Sequence, residues 1–207
     1  MNLIVLLLIP LITSLGILLS RGIIQIRVIS LLGAMLQLAA GLFLLAMYWS
    51  ERSSGNNAQM LFESSYAWFA PLHINFHIGV DGISIAMILL TAFVVLSGIL
   101  VSWKEETMSK EFFFLLIFLS LGAYGFFISL DLFTMFFFLE VAVIPKFLLI
   151  GIWGSGKKEY SAMKLALMLM GGSALVLVGL LGLYFNTNTG NGSHTFDLLQ
   201  IAAMNIP

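Results

Sequence analysis

The chain has 207 residues, of which 60% are hydrophobic and 9% charged, with a formal net charge of −1. Soluble domains carry about 25% charged residues, so this is a membrane protein, and without a basic arm it is not a nucleic-acid binder. It has no cysteine, which excludes disulfides, thiolate metal sites and iron–sulfur ligation; any electron transfer therefore belongs to a partner.

A membrane-spanning helix needs about 20 mostly apolar residues. Segments 3–20, 28–49, 82–103, 112–130, 132–153 and 160–185 meet that requirement, which predicts an all-α polytopic fold with about six transmembrane helices. No basic residue precedes the first run, Leu3–Leu19, and Arg21 and Arg27 follow it. That is the reverse of a secretory signal, so the run is a retained span. Lys104 and Lys110 follow the third segment and Lys157 and Lys158 the fifth, whereas the opposite side holds only Arg52. The positive-inside rule then places both termini on the non-cytoplasmic face. Tyr48, Trp49, Trp103, Trp153, Tyr160 and Tyr184 fall at helix ends, where interfacial aromatics collect.

Residues 50–81 form a long external connection, whose end, His73–Val80, alternates as a short surface strand does. Asp81 and Asp131 each precede a helix and suit N-caps. Gln37 and Gly171-Gly172-Ser173 suit helix packing. Asn186–His194 reads as an external loop, a short amphipathic turn is expected at Phe196–Met204, and His73, His77 and His194 all lie in connecting segments.

Glu140 stands in the middle of an otherwise apolar run. An acid at a membrane helix centre costs roughly 2.5–3.5 kcal/mol on insertion scales, and such acids mark ion pathways. One reading makes Glu140 a neutral or paired packing residue, and the other a proton relay whose protonation responds to a nearby cation. Lys146 is six residues on, about 120° round the helix and about 9 Å along it, outside the three- or four-residue spacing that pairs side chains. Pro145 softens that objection by kinking the helix, and Lys146 also suits snorkelling. Lys164 suits snorkelling or a water path toward Glu140 alike. Asp131 is retained as a further candidate on the path. Gly151–Lys158 nearly matches a phosphate-binding loop but lacks the final Ser or Thr and follows a membrane helix.

Several motifs occur in order: Phe76-His-Ile-Gly-Val-Asp81-Gly-Ile-Ser84, Val101-Ser-Trp-Lys-Glu105, Leu130-Asp-Leu-Phe with Leu139-Glu-Val-Ala-Val-Ile-Pro145, and Ile150-Gly-Ile-Trp-Gly154. Together they resemble the antiporter-like subunit M, or mitochondrial subunit 4, family of NADH-quinone oxidoreductase, respiratory complex I. The resemblance implies a proton-translocating, non-redox membrane-arm subunit of about fourteen helices in inverted repeats. Glu140 matches the family's fifth-helix glutamate, which pairs with a seventh-helix lysine; residues 186–207 are then an external tail leading to that helix. The chain is expected to be the N-terminal part of such a subunit and not to pump alone.

The family further implies no cofactor in this chain, with NADH, FMN, iron–sulfur clusters and quinone in partner subunits. The partners implied are other membrane-arm subunits, especially neighbouring antiporter-like ones, and the implied location is a bacterial inner membrane. Lys146 departs from the apolar residue expected after the proline. Subunits of multi-subunit sodium/proton antiporters and of membrane-bound hydrogenase complexes share these motifs, and a purely structural scaffold is the alternative of another class.

Overall fold

The computed structural model describes residues 2–56, 58–69, 74–105, 107–187 and 194–204. The helices are α1 (Val5–Leu19), α2 (Ile23–Ser53), α3 (Gly82–Val101), α4 (Ser109–Ile128), α5 (Leu132–Val141), α6 (Val143–Trp153), α7 (Lys158–Asn186) and α8 (Leu198–Ala203). Strands β1 (Leu61–Phe69) and β2 (Ile74–Val80) lie between α2 and α3. Helices dominate because lipid offers no hydrogen-bond partner to exposed backbone. The fold class is therefore the expected helical, multi-pass one.

Several elements depart from expectation. Five helical segments are long and apolar enough to cross a membrane, while α1, at 15 residues, falls short of that length. Helix α2 runs to Ser53 rather than ending at 49, so the connection to α3 begins later. The fifth span is not one helix: it breaks at Ala142, between α5 and α6. Strand β1 was not expected, because the consecutive polar residues Glu63, Ser64 and Ser65 hide the alternation. It pairs antiparallel with β2, Ser64 opposite Ile78 and Ala67 opposite Asn75. The strand expected from His73 begins at Ile74, and His73 itself lies outside the described residues, as does most of the expected Asn186–His194 loop.

The hairpin is the start of a larger platform. The Leu130 amide donates to the His77 carbonyl (2.8 Å), the Leu132 amide to Phe196 (2.9 Å) and the Leu198 amide to Leu130 (2.9 Å). The link before α5 is thus laid alongside β2, and the link before α8 alongside the link before α5. Asp197 N-caps α8 through Oδ1, accepting from the Leu199 and Gln200 amides, and its Oδ2 lies 2.8 Å from His77 Nδ1. The short helix expected near Phe196–Met204 is α8.

Helix α4 is the hub and packs against α1, α2, α3, α5 and α6. Half of its apolar window is buried, against 6% for α7. At the other end of the bundle, basic side chains close helix ends. Lys110 Nζ donates to the Leu18 carbonyl and Lys158 Nζ to the Ile152 carbonyl, each at 2.6 Å, where cations meet the negative end of the helix dipole.

Inside α1, Pro10 has no N–H to give the Leu6 carbonyl. Gln37, 4% exposed on α2, supplies the missing donor through Nε2 at 3.1 Å. Replacing Gln37 with Leu should lower the unfolding free energy by about 1–3 kcal/mol, the range for an orphaned buried acceptor. In a Pro10→Ala background, where residue 10 regains its amide, the loss should be smaller. A double-mutant cycle on denaturation of the purified protein measures this coupling, and equal losses in both backgrounds would contradict the account.

Candidate functional site

Glu140 is positioned from both ends of α5. At its N-terminal end, Asp131 caps the helix: Oδ1 accepts from the Thr134 amide at 3.0 Å and Oδ2 from the Asn75 amide on β2 at 3.4 Å. The platform therefore holds the first turn of α5. Rings from the hairpin grip the next turn. Trp68 meets Phe137 edge to face at 5.5 Å, and Phe76 lies 6.3 Å from Phe138.

Along its flank α5 lies against α4 at two glycines. A β-carbon on Gly122 would sit 2.8 Å from the Phe138 carbonyl oxygen and 2.9 Å from Ala142 Cβ, and one on Gly125 would sit 2.2 Å from the Phe138 ring. Small residues permit this close approach, as in other membrane helix pairs. Glu140 is two residues from both Phe138 and Ala142, about 200° round a helix from either. It points away from α4.

At about 12 Å along α5 from Leu132, Glu140 is half-buried, and its Oε1 is inaccessible to solvent with no hydrogen-bond partner among the described residues. Ion pairs among the described residues are confined to His77, with Glu63 and Asp197. Glu140 thus sits in a membrane span with an unbonded oxygen and no ion-pair partner among the described residues.

Just beyond Glu140 the helix breaks. Pro145 offers no amide to the Val141 carbonyl, the Ala142 amide tightens onto Leu139 (3.2 Å), and the Lys146 amide reaches Ala142 only at 3.4 Å. Lys146 lines a cavity of about 470 Å³ with Thr91, Ser120, Phe138, Leu139 and Ala142. That cavity lies on the α3–α4 side, the side from which Glu140 is turned away. Lys164 is exposed on α7. Asp131 is 1% exposed and acts as a cap nine residues from Glu140. The four candidate residues are not gathered into one site among the described residues.

Burial pushes the Asp131 carboxyl above the usual carboxylate range, and hydrogen bonds from Thr134 and Asn75 oppose the shift. A raised folded pKa means that this group favours the fold fully below its unfolded pKa, and that the benefit is lost as pH rises through the folded pKa. Asp131→Asn keeps a capping oxygen and removes the charge, so its stability relative to wild type should improve from acid toward neutral pH. Asp131→Ala loses the cap and should cost about 1 kcal/mol or more. Thermal denaturation of both variants across that pH range checks the sign, and a parallel pH response of Asp131→Asn and wild type would contradict it.

Sequence reasoning missed Gly122, Gly125 and the role of Gln37. The two glycines three apart in an apolar run were a readable signal for a close helix crossing. Pro10 inside α1 was a readable signal for an orphaned carbonyl.

Residues 129–205 match the family described as NADH:quinone oxidoreductase/Mrp antiporter, transmembrane. That segment begins just before α5 and includes Glu140. NAD(P)H-quinone oxidoreductase chain 4 from the chloroplast of Angiopteris evecta is 35% identical over 154 residues, 73% of this chain and 30% of that protein. F(420)H(2) dehydrogenase subunit M of Methanosarcina mazei is 30% identical over 77% of this chain and 32% of its own length. NADH-quinone oxidoreductase subunit M of Rhodobacter capsulatus is 38% identical over 64% of this chain and 26% of its own length.

Respiratory complex I from Thermus thermophilus contains a chain that superposes with a TM-score of 0.80 at 23% identity, covering 97% of this chain and 39% of that one. The archaeal membrane-bound sulfane sulfur reductase gives 0.74 at 21% identity over 98% of this chain and 40% of its own. The fold is therefore one shared with a chain of each of these two respiratory complexes. By sequence, the chain is similar to the subunit M and chain 4 proteins of NAD(P)H-quinone oxidoreductases. It spans about a third of the length of these relatives.

Proposed function

We propose that this chain forms part of a proton-translocating membrane subunit of a quinone-reducing respiratory complex, with Glu140 as a proton relay. The observation that carries this is the unbonded carboxyl oxygen of Glu140 inside a span, within the family-matching segment. A carboxyl without a fixed partner can take a proton when no cation is near and give it up when one approaches. Glu140 is aimed away from α4, and α7 exposes Leu167, Leu175 and Val178 at 66%, 76% and 67%. These surfaces leave room for further helices beside the acid. The cation that completes the relay is proposed to come from such a helix.

The role is proposed as non-redox. The relatives named above carry NADH, NAD(P)H and F(420)H(2) in their names, so the donor differs while this membrane segment is retained. On this reading NADH, FMN, iron–sulfur clusters and quinone belong to partner subunits. The immediate neighbours are other antiporter-like membrane-arm subunits. The location is a bacterial inner membrane with the N-terminus on the non-cytoplasmic side, the basic residues that close the helix ends lying opposite.

A second reading, ion exchange within a multi-subunit antiporter, is favoured by the family description itself, which names both classes. Lys146 and Lys164 remain candidates on the path in either. Purifying the assembled complex through a tag on this chain separates the two. NADH-dependent quinone reduction that acidifies one side of a vesicle supports the first reading. Sodium/proton exchange without redox activity would replace it with the second.

A further inference from the structure

A groove of about 470 Å³ opens between α3, α4 and the broken α5–α6 span, on the flank of α5 turned from Glu140. Leu90 and Val94 of α3, Leu119 and Phe127 of α4 and Phe138 of α5 wall it with hydrocarbon, and Lys146 of α6 brings a charged side chain. The hydroxyls in the wall are already committed. Thr91 donates to the Met87 carbonyl and Ser120 to the Ile117 carbonyl, at 2.8 and 2.6 Å. Leu90 and Val94 are 55% and 57% exposed, so the groove is open along its α3 rim. Its size falls in the range of small-molecule sites, about 300–1,000 Å³.

Lys146 stands at one end of this groove. It follows Phe138 by eight residues, about 12 Å along the span, and precedes Trp153 by seven, about 10 Å. Trp153 closes the span on the side of the basic residues, its indole Nε1 donating to the Thr107 carbonyl at 2.8 Å. Ion pairs among the described residues are confined to His77, so none of them neutralises the Lys146 ammonium. A lysine at this depth either meets an anion or extends its stem toward the interface.

We infer that this groove binds one anionic lipid of the surrounding membrane, an acyl chain lying along α3 and α4 and the headgroup anion meeting the Lys146 ammonium. The lipid matches both features of the groove: its chain suits the hydrocarbon walls and its charge complements the lysine. Its anion already resides at the interface toward which the lysine stem extends. A protein carboxylate would have to come from within a span, at roughly 2.5–3.5 kcal/mol on insertion scales, which favours the lipid. Basic pockets between transmembrane helices take lipid headgroups in the same way. The site is separate from Glu140 and stands whether or not the relay is correct.

Photolabelling of the intact complex in lipid vesicles tests the site. The probes are a phosphatidylglycerol and a phosphatidylcholine carrying the same diazirine on one acyl chain, and labelled peptides are read by mass spectrometry. The expected result is labelling within residues 119–127 and 138–142, with a preference of about fivefold for the anionic lipid. That factor corresponds to about 1 kcal/mol for a lysine near lipid headgroups. Lys146→Met should abolish the preference and Lys146→Arg should keep it, with assembly of the complex checked for both. No labelling of these residues, equal labelling by the two lipids in wild type, or a preference that survives Lys146→Met would overturn the inference. A density map of the complex provides the second measurement. A thread of acyl-chain density ending beside Lys146 supports the site, and a protein helix filling the groove counts against it.

Discussion

Replacing Glu140 with glutamine in the assembled complex is expected to reduce proton translocation by about 10²-fold or more, the scale on which removing a proton-transfer group acts, while the complex still assembles. Glutamine nearly matches the shape of glutamate and can hydrogen-bond, so it would preserve any packing role. It cannot carry a proton. Aspartate is the informative companion: it is one methylene shorter, which disturbs packing, yet it keeps a titratable carboxyl. A relay predicts that Glu140→Asp retains more flux than Glu140→Gln, and a packing role predicts the reverse order. Proton flux in vesicles with the partner subunits present, alongside an assembly assay, distinguishes these outcomes. The half-buried setting of Glu140 and its turn away from the α4 interface favour the relay order.

The second large effect is expected at Gly122, which never touches the acid. A valine there brings its β-carbon to 2.8 Å from the Phe138 carbonyl oxygen, and the nearby Ala142 Cβ is at 2.9 Å. A backbone oxygen cannot rotate aside as a side chain can, so α5 must shift away from α4. Overpacking of this kind costs typically 1–3 kcal/mol, and here the displacement falls on the two residues that bracket Glu140. Gly122→Val should therefore lower both thermal stability and proton flux. Gly125→Ala tests the same seam about one turn further along α4, where the obstacle is the Phe138 ring at 2.2 Å, and a ring can move. The expected order is a larger loss for Gly122→Val than for Gly125→Ala, measured by melting temperature and flux on the same preparations.

Much of the helical layout was legible because hydropathy alone distinguishes a span from a loop. The aspartates before α3 and α5 were readable as caps because a short carboxylate ahead of an apolar run has few other local uses, and both do accept the amide three residues on. The break at Ala142 was not foreseen as such. Pro145 announced a kink, but the tightened turn lies three residues earlier, where the chain carries no special residue. Strand β1 was hidden by three consecutive polar residues, and it exists because β2 pairs with it. The tie between Gln37 and Leu6 joins residues 31 apart. It follows from Pro10 only once the two helices are known to touch. Lys146 illustrates the opposite case, where helical spacing already argued against pairing with Glu140 and the cation lies on the other flank.

The central claim is that Glu140 changes its protonation as the complex turns over. Infrared difference spectroscopy of the assembled complex, resting against turning over, measures this directly. The account predicts a carboxyl C=O signal that appears or disappears with turnover and is absent from Glu140→Gln. A Glu140 signal that stays constant through turnover, in a complex that still moves protons, would contradict it.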